Sequence, residues 1–131
     1  MMKSLTLIPA RFAPHVLGLL RIVLALLLIP HGTAKLFGVP HVEMFAGVKL
    51  MSLLGAAGVI EIVGGTLLLV GFQTRLVAFV LSGFTAFAYF LGHAQHGLLP
   101  LINKGELAAV YCFVFLYLSV VGSGKFAIDR S

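Results

Sequence analysis

Residues 50–72 read LMSLLGAAGVIEIVGGTLLLVGF: 23 residues with a single charge, Glu61, and with glycines at 55, 58, 64 and 65 in their body. About 20 mainly apolar residues in a helix cross the hydrocarbon core of a bilayer. The stretch therefore reads as a membrane span with an acid inside it. Gly58, Glu61 and Gly65 fall on one helix face at three- and four-residue spacing. Small residues let backbones approach closely in lipid, so the face that carries the acid is also the face suited to tight helix contact.

Three further spans lie around it. Pro14–Phe37 opens on a proline, which a first turn tolerates, and carries Arg21, Pro30 and His31. Leu76–Ala94 is free of charge until His93, and Leu107–Gly124 has no charge but includes Tyr111, Phe113, Phe115 and Tyr117. Composition agrees: 60% of the chain is hydrophobic and 10% charged, against about 45–50% and 25% in soluble domains. A chain of 131 residues cannot bury that surplus in one core. The sequence thus predicts an all-α, four-helix transmembrane bundle, a single domain over residues 1–131, with helices at about 14–37, 50–72, 76–94 and 107–124. Lys3 and Arg11 before the apolar run Val16–Ile29 imitate a signal peptide, but that run continues through His31 and Lys35 without a convincing small-x-small cleavage site and reads as a retained first helix.

The connections are short. Gly71–Arg75 leaves almost no loop, which makes the second and third helices antiparallel neighbours. Gly38–Lys49, with Pro40, His41, Glu43 and Phe45, is expected at the interface or dipping back into the bundle. Asn103-Lys104-Gly105-Glu106 resembles a capping box, with Asn103 as N-cap and Glu106 at the third helical position. The net charge of +5 comes from basic residues scattered singly at segment ends, which suits lipid headgroups and membrane topology and gives no face for nucleic acid. Cys112 is the only cysteine, so an intrachain disulfide and a CxxC redox motif are excluded and an inert buried thiol is expected.

The polar residues at membrane depth are the candidate site. Arg21, His31 and Lys35 lie within an arc of about 80° on the first helix. Counting rise along the helices puts Glu61 between Arg21 and His31 in depth, and these two are its expected partners. One reading is a structural pair that holds the first two helices in register; the other is a carboxylate that binds a ligand or exchanges protons. His93 and His96 end the third helix on the side of His31 and Lys35, where histidines also serve as interfacial anchors. No pair has a recognised metal-ligand spacing, so no metal site is expected.

Several segments together resemble the DoxX family of small bacterial membrane proteins, from about Leu17 to Asp129. They are Leu20-Arg21-Ile22, His31-Gly32-Thr33-Ala34-Lys35-Leu36-Phe37-Gly38, Ile60-Glu61-Ile62-Val63-Gly64-Gly65, Gly71-Phe72-Gln73-Thr74-Arg75, Ala86 to His93, Asn103-Lys104-Gly105-Glu106, and Gly122-Ser123-Gly124-Lys125 to Asp129. The resemblance implies a four-helix membrane bundle. It also implies a link to thiosulfate:quinone oxidoreductases, or to membrane complexes handling sulfur compounds and oxidative stress. By motif position it points to Arg21, His31, Lys35, Glu61 and His93 as the polar site.

Three functions fit. The first is a non-autonomous membrane subunit of an oxidoreductase that holds a quinone near the outer ends of the first three helices, with no covalently bound cofactor. The second is a structural or assembly subunit, and the third a permeation path for protons or a small solute. Expected partners are membrane lipids, a soluble or membrane redox protein, and further copies of the chain. The expected location is the bacterial inner (cytoplasmic) membrane, multi-pass. Lys3, Arg11, Arg75, Lys125 and Arg130 on the termini side outnumber Lys35, Lys49 and Lys104 opposite by five to three, which places both termini in the cytoplasm. Topology reporters fused after Gln73 and after Lys104 should therefore give cytoplasmic and periplasmic signals respectively; a periplasmic signal after Gln73 reverses the orientation.

Overall fold

Each long helix starts and stops where its ends are satisfied. In a computed structural model, which describes residues 2–130, α1 runs Ala13–Phe37 and closes on Gly38 in the left-handed region (φ 68°). The second helix, α2 (Leu53–Val70), begins three residues later than residue 50. The Ser52 hydroxyl caps it by accepting from the Gly55 N–H at 3.1 Å. After Gly71, α3 spans Thr74–Gly92, followed by a 3₁₀ turn at Ala94–His96 and the short α4 (Pro100–Asn103). The last helix, α5, is Glu106–Val121. The capping box does not form: Asn103 ends α4, Gly105 is the N-cap of α5, and Glu106 is its exposed first residue. Asn103 instead accepts the Gly105 N–H at 2.8 Å, a tight turn between the two helices.

Among the described residues there is no strand, and α1, α2 and α3 are long and apolar enough to cross a membrane. With its 16 residues, α5 spans about 24 Å, short of a hydrocarbon core of about 30 Å. After Glu106 it carries no charge, and it completes the bundle. Helix α1 packs mainly on α2 and α3 on α5. The pairs meet in a core of Leu24, Ala25, Leu28, Leu68, Ala78, Leu81, Tyr111, Phe115 and Leu118. Outward, Phe79, Phe87, Phe90, Phe113, Tyr117 and Val120 are exposed and form the lipid-facing surface.

The α1–α2 contact explains the glycines. A Cβ on Gly32 would lie 2.7 Å from the Gly58 carbonyl oxygen, and one on Gly65 would lie 2.6 Å from Ile29 Cγ1. The helices thus touch at backbone distance, antiparallel, with Gly32 beside Gly58 and Ile29 beside Gly65. The buried face of α2 is Gly55, Gly58, Glu61, Gly65 and Leu68, the face expected from the spacing.

Beyond α5 the chain turns back across the termini end of α1, α2 and α3. The Lys125 N–H donates to the Pro14 carbonyl at 2.9 Å, Ile128 to Val70 at 3.0 Å and Asp129 to Gly71 at 2.8 Å. Asp129 accepts from the Gln73 and Thr74 N–H groups at 2.9 and 2.8 Å, which caps α3. Arg21 lies beneath this strap, 0% exposed. Its Nε donates to the Leu68 carbonyl at 2.9 Å, Nη1 to Ser123 at 2.6 Å and Lys125 at 3.1 Å, and Nη2 to Phe126 at 2.7 Å. Partial burial alone would raise the Asp129 carboxyl. The Thr74 and Gln73 donors and the nearby Arg21 charge outweigh that and hold it below the usual aspartate range.

Arg21→Leu removes the donor to four carbonyls, and each buried group left unsatisfied costs about 1–3 kcal/mol. The variant should melt earlier than wild type and lose its tail to trypsin after Lys125 well before its helices are cut; a wild-type melting point with a protected tail would show that the strap does not depend on Arg21. The sign of the Asp129 effect follows from its lowered folded value. Its contribution is complete above the unfolded pKa of about 3.9 and is lost as pH falls through the folded value. Trypsin is inactive there, so pepsin is the probe: the tail should become cleavable below about pH 4, and Asp129→Asn should abolish that pH step.

Candidate functional site

The polar residues separate into two groups at opposite ends of the bundle. Arg21 is level with the last turn of α2, where it meets the Leu68 carbonyl, and Leu68 lies about 10 Å along the helix from Glu61. It therefore does not pair with Glu61, contrary to the depth count. The later start of α2 and the helix contact at Gly32–Gly58 set a register in which Glu61 faces the far end of α1.

The partner of Glu61 is Lys35, with Nζ and Oε1 2.6 Å apart and side chains 10% and 6% exposed. The geometry comes from glycine again: a Cβ on Gly58 would be 3.2 Å from Lys35 Cβ, so the lysine stem lies flat on α2. A lysine near a helix end ordinarily directs its ammonium outward to water. Here the ammonium turns inward, one helical turn deeper than its own backbone, to reach the acid. Such a pair costs desolvation energy that its attraction does not reliably return, so it is weak as a stabilising device.

Around this pair the structure gathers two aromatic groups. The Phe45 ring centroid, on the loop between α1 and α2, is 5.1 Å from Lys35 Nζ, within cation–π range. His31 stands edge-on to Tyr111 of α5 at 6.4 Å between ring centroids, and both lie within electrostatic reach of Glu61. Tyr111 stood in the sequence only as an aromatic in an apolar run, and Phe45 only as a loop residue. Position 111 does fall on the inward face with Phe115 and Leu118, the one local sign of its place. Above Lys35 a cavity of about 300 Å³ opens between the end of α1 and the loop, lined by Lys35, Leu36, His41, Val42, Phe45 and Val48 among others. His41 Nε2 lies 3.2 Å from Glu43 Oε2 on the exposed outer side of that loop.

His93 joins a different network. Its Nδ1 is 3.1 Å from the Asn103 carbonyl, while Asn103 Nδ2 donates to the Tyr89 hydroxyl and to the Gly97 carbonyl, each at 3.0 Å. These bonds fasten the loop between α3 and α5. His96 is exposed. Cys112 is half-buried, 3.6 Å from Ser82 Oγ, whose hydroxyl donates to the Cys112 carbonyl at 2.7 Å. Among the described residues, no three histidine, cysteine or acidic side chains come together as a metal site would need.

The chain is similar to an uncharacterized protein of Haemophilus influenzae, 45% identical over 125 residues and covering 92% of each chain. It is also similar to the inner membrane protein YqjF of Escherichia coli, 30% identical over 119 residues, which cover 84% of this chain and 86% of that protein. No solved structure matches it. The DoxX family model matches residues 16–94, the stretch that holds Arg21, His31, Lys35, Glu61 and His93. With that match and these relatives, the chain belongs to the DoxX family of membrane proteins.

Proposed function

We propose that the protein is a membrane subunit of a quinone-linked oxidoreductase in sulfur or oxidative-stress metabolism, and that it holds the carrier at the end of the bundle where α1 meets α2. The observation that carries this reading is the buried Lys35–Glu61 pair beneath an open cavity. Ionisable residues at membrane depth are costly, and their commonest use is functional. Quinone reduction takes up protons; an ammonium can donate one to a carbonyl oxygen, and a carboxylate beside it can relay a replacement proton to the amine that is left. His31 and Tyr111 flank the acid as further proton carriers. The cavity is at the lower end of the range of about 300–1,000 Å³ for small-molecule sites, enough for a ring headgroup with its tail in lipid. The name of the Escherichia coli relative supports an inner-membrane location, and the basic residues at the termini end support cytoplasmic termini. A redox partner protein would then supply electrons, alone or with further copies of this chain.

A structural or assembly role has its own support, in Arg21 and His93, whose bonds go to main-chain carbonyls of the strap and of the α3–α5 loop. A permeation path through one chain is disfavoured, because Ala25, Leu28, Leu68, Leu81, Phe115 and Leu118 fill the middle of the bundle at 1% exposure or less.

Protein purified in native-lipid discs should retain quinone well above its level in the surrounding lipid, and Lys35→Gln or Glu61→Gln should release it. Each single variant leaves one buried charge uncompensated, a loss of about 3–5 kcal/mol in comparable pairs. The double variant should therefore recover part of the melting temperature without recovering the quinone. Quinone at the lipid level in wild type would overturn the carrier role. Recovery of melting temperature with quinone unchanged in all variants would leave the structural role.

A further inference from the structure

The loop over the Lys35–Glu61 pair is built differently from the other connections. Gly38 (φ 68°) and Gly47 (φ 76°) bracket it, both in the left-handed region and both with open space where a Cβ would project. From Phe37 to Gly47 every residue but Phe45 is exposed. Apart from a long bond at its start, from the Val39 N–H to the Thr33 carbonyl at 3.4 Å, the segment rests on the bundle through the Phe45 side chain, which covers the ammonium of Lys35. The strap at the termini end, by contrast, is tied down by several hydrogen bonds, and the α3–α5 loop by the Asn103 network.

We propose that residues 39–46 form a lid hinged at Gly38 and Gly47, and that the Phe45 ring occupies the place over the Lys35 ammonium that a carbonyl oxygen of the carrier takes when the lid opens. The inference rests on the carrier reading above. The ring faces an ammonium at cation–π distance and lines the cavity, so a carrier that brings a carbonyl oxygen to the ammonium replaces the ring without leaving the cation bare. An aliphatic occupant has no such acceptor, so the exchange selects for carbonyl-bearing ligands. The His41–Glu43 pair, on the water-facing side of the lid, turns outward with it.

The test is the reactivity of the Lys35 amine toward sulfosuccinimidyl acetate in full-length protein in lipid discs. It is read by peptide mass spectrometry, with exposed Lys49 and Lys104 as internal references. Phe45→Ala should speed Lys35 acetylation about tenfold with Lys49 and Lys104 unchanged, and Phe45→Tyr should remain as slow as wild type, since it keeps the ring. The soluble naphthoquinone menadione should protect Lys35 in wild type. An unchanged Lys35 rate in Phe45→Ala overturns the lid whatever menadione does. Faster acetylation of all three lysines means that the variant has loosened the fold; Phe45→Leu then decides, because it keeps most of the apolar volume without the ring, so Lys35 alone should speed if the ring covers the ammonium and should stay at the wild-type rate if it does not. A faster Lys35 in Phe45→Ala without menadione protection keeps the lid and removes the quinone as its ligand.

Discussion

Arg21 is the constraint around which the termini end is organised. A guanidinium with no exposed surface must find an acceptor for each of its nitrogens, and in lipid those acceptors have to come from the protein itself. They are main-chain carbonyls: one at the end of α2, and three in the segment after α5. One side chain on the first helix thereby fixes where the second helix ends and where the chain's last segment lies. Carbonyls as partners, in place of a carboxylate, also explain why Glu61 is left for another cation. The nearest acid in charge terms is Asp129, which is committed to the N-terminus of α3.

At the opposite end the same rule acts on Glu61, with a different solution. The glycine seam brings α1 and α2 so close that the Leu36 side chain and the start of the Lys35 stem lie directly on Gly58. The acid is thus paired, yet its partner also forms the floor of a cavity. A pair kept only for packing gains nothing from an opening above it, since water in the cavity weakens its attraction. An exchangeable pair needs that opening. Under the proposed function, Arg21, sealed under a strap, is a fastening, and Lys35, under one aromatic ring, belongs to the site.

Much of the architecture was legible in the residues. Apolar runs of membrane length located the helices, and the spacing of Gly58, Glu61 and Gly65 gave the buried face of α2. The pairing of Glu61 was not legible, because depth counts assume where each helix starts. Ser52 capping α2 moved that start by three residues, and the glycine contacts set a register that no spacing rule contains. The capping box misled for a related reason: Asn103 has the right side chain for a cap, but Lys104 at φ 62° breaks the helix between it and Glu106. Phe45 and Tyr111 escaped because their roles depend on tertiary contact, and an aromatic residue in a hydrophobic chain carries no mark of it.

The inward stripe of α1 connects the two ends and limits how they communicate. Arg21, Leu24, Leu28, Gly32 and Lys35 follow one another at three- and four-residue steps, over about 21 Å from first to last. The middle of that stripe meets Leu68, Leu81, Phe115 and Leu118 in a packed apolar layer. A proton leaving Glu61 has His31 and Tyr111 near it but no ionisable group through the layer toward Arg21. Under the proposed function, protons for a bound carrier are therefore exchanged on the loop side, beneath the segment that carries Phe45. Arg21 serves that chemistry only by holding the other ends of the same helices, which keeps the backbone contact at Gly58, and with it the reach of Lys35, in register.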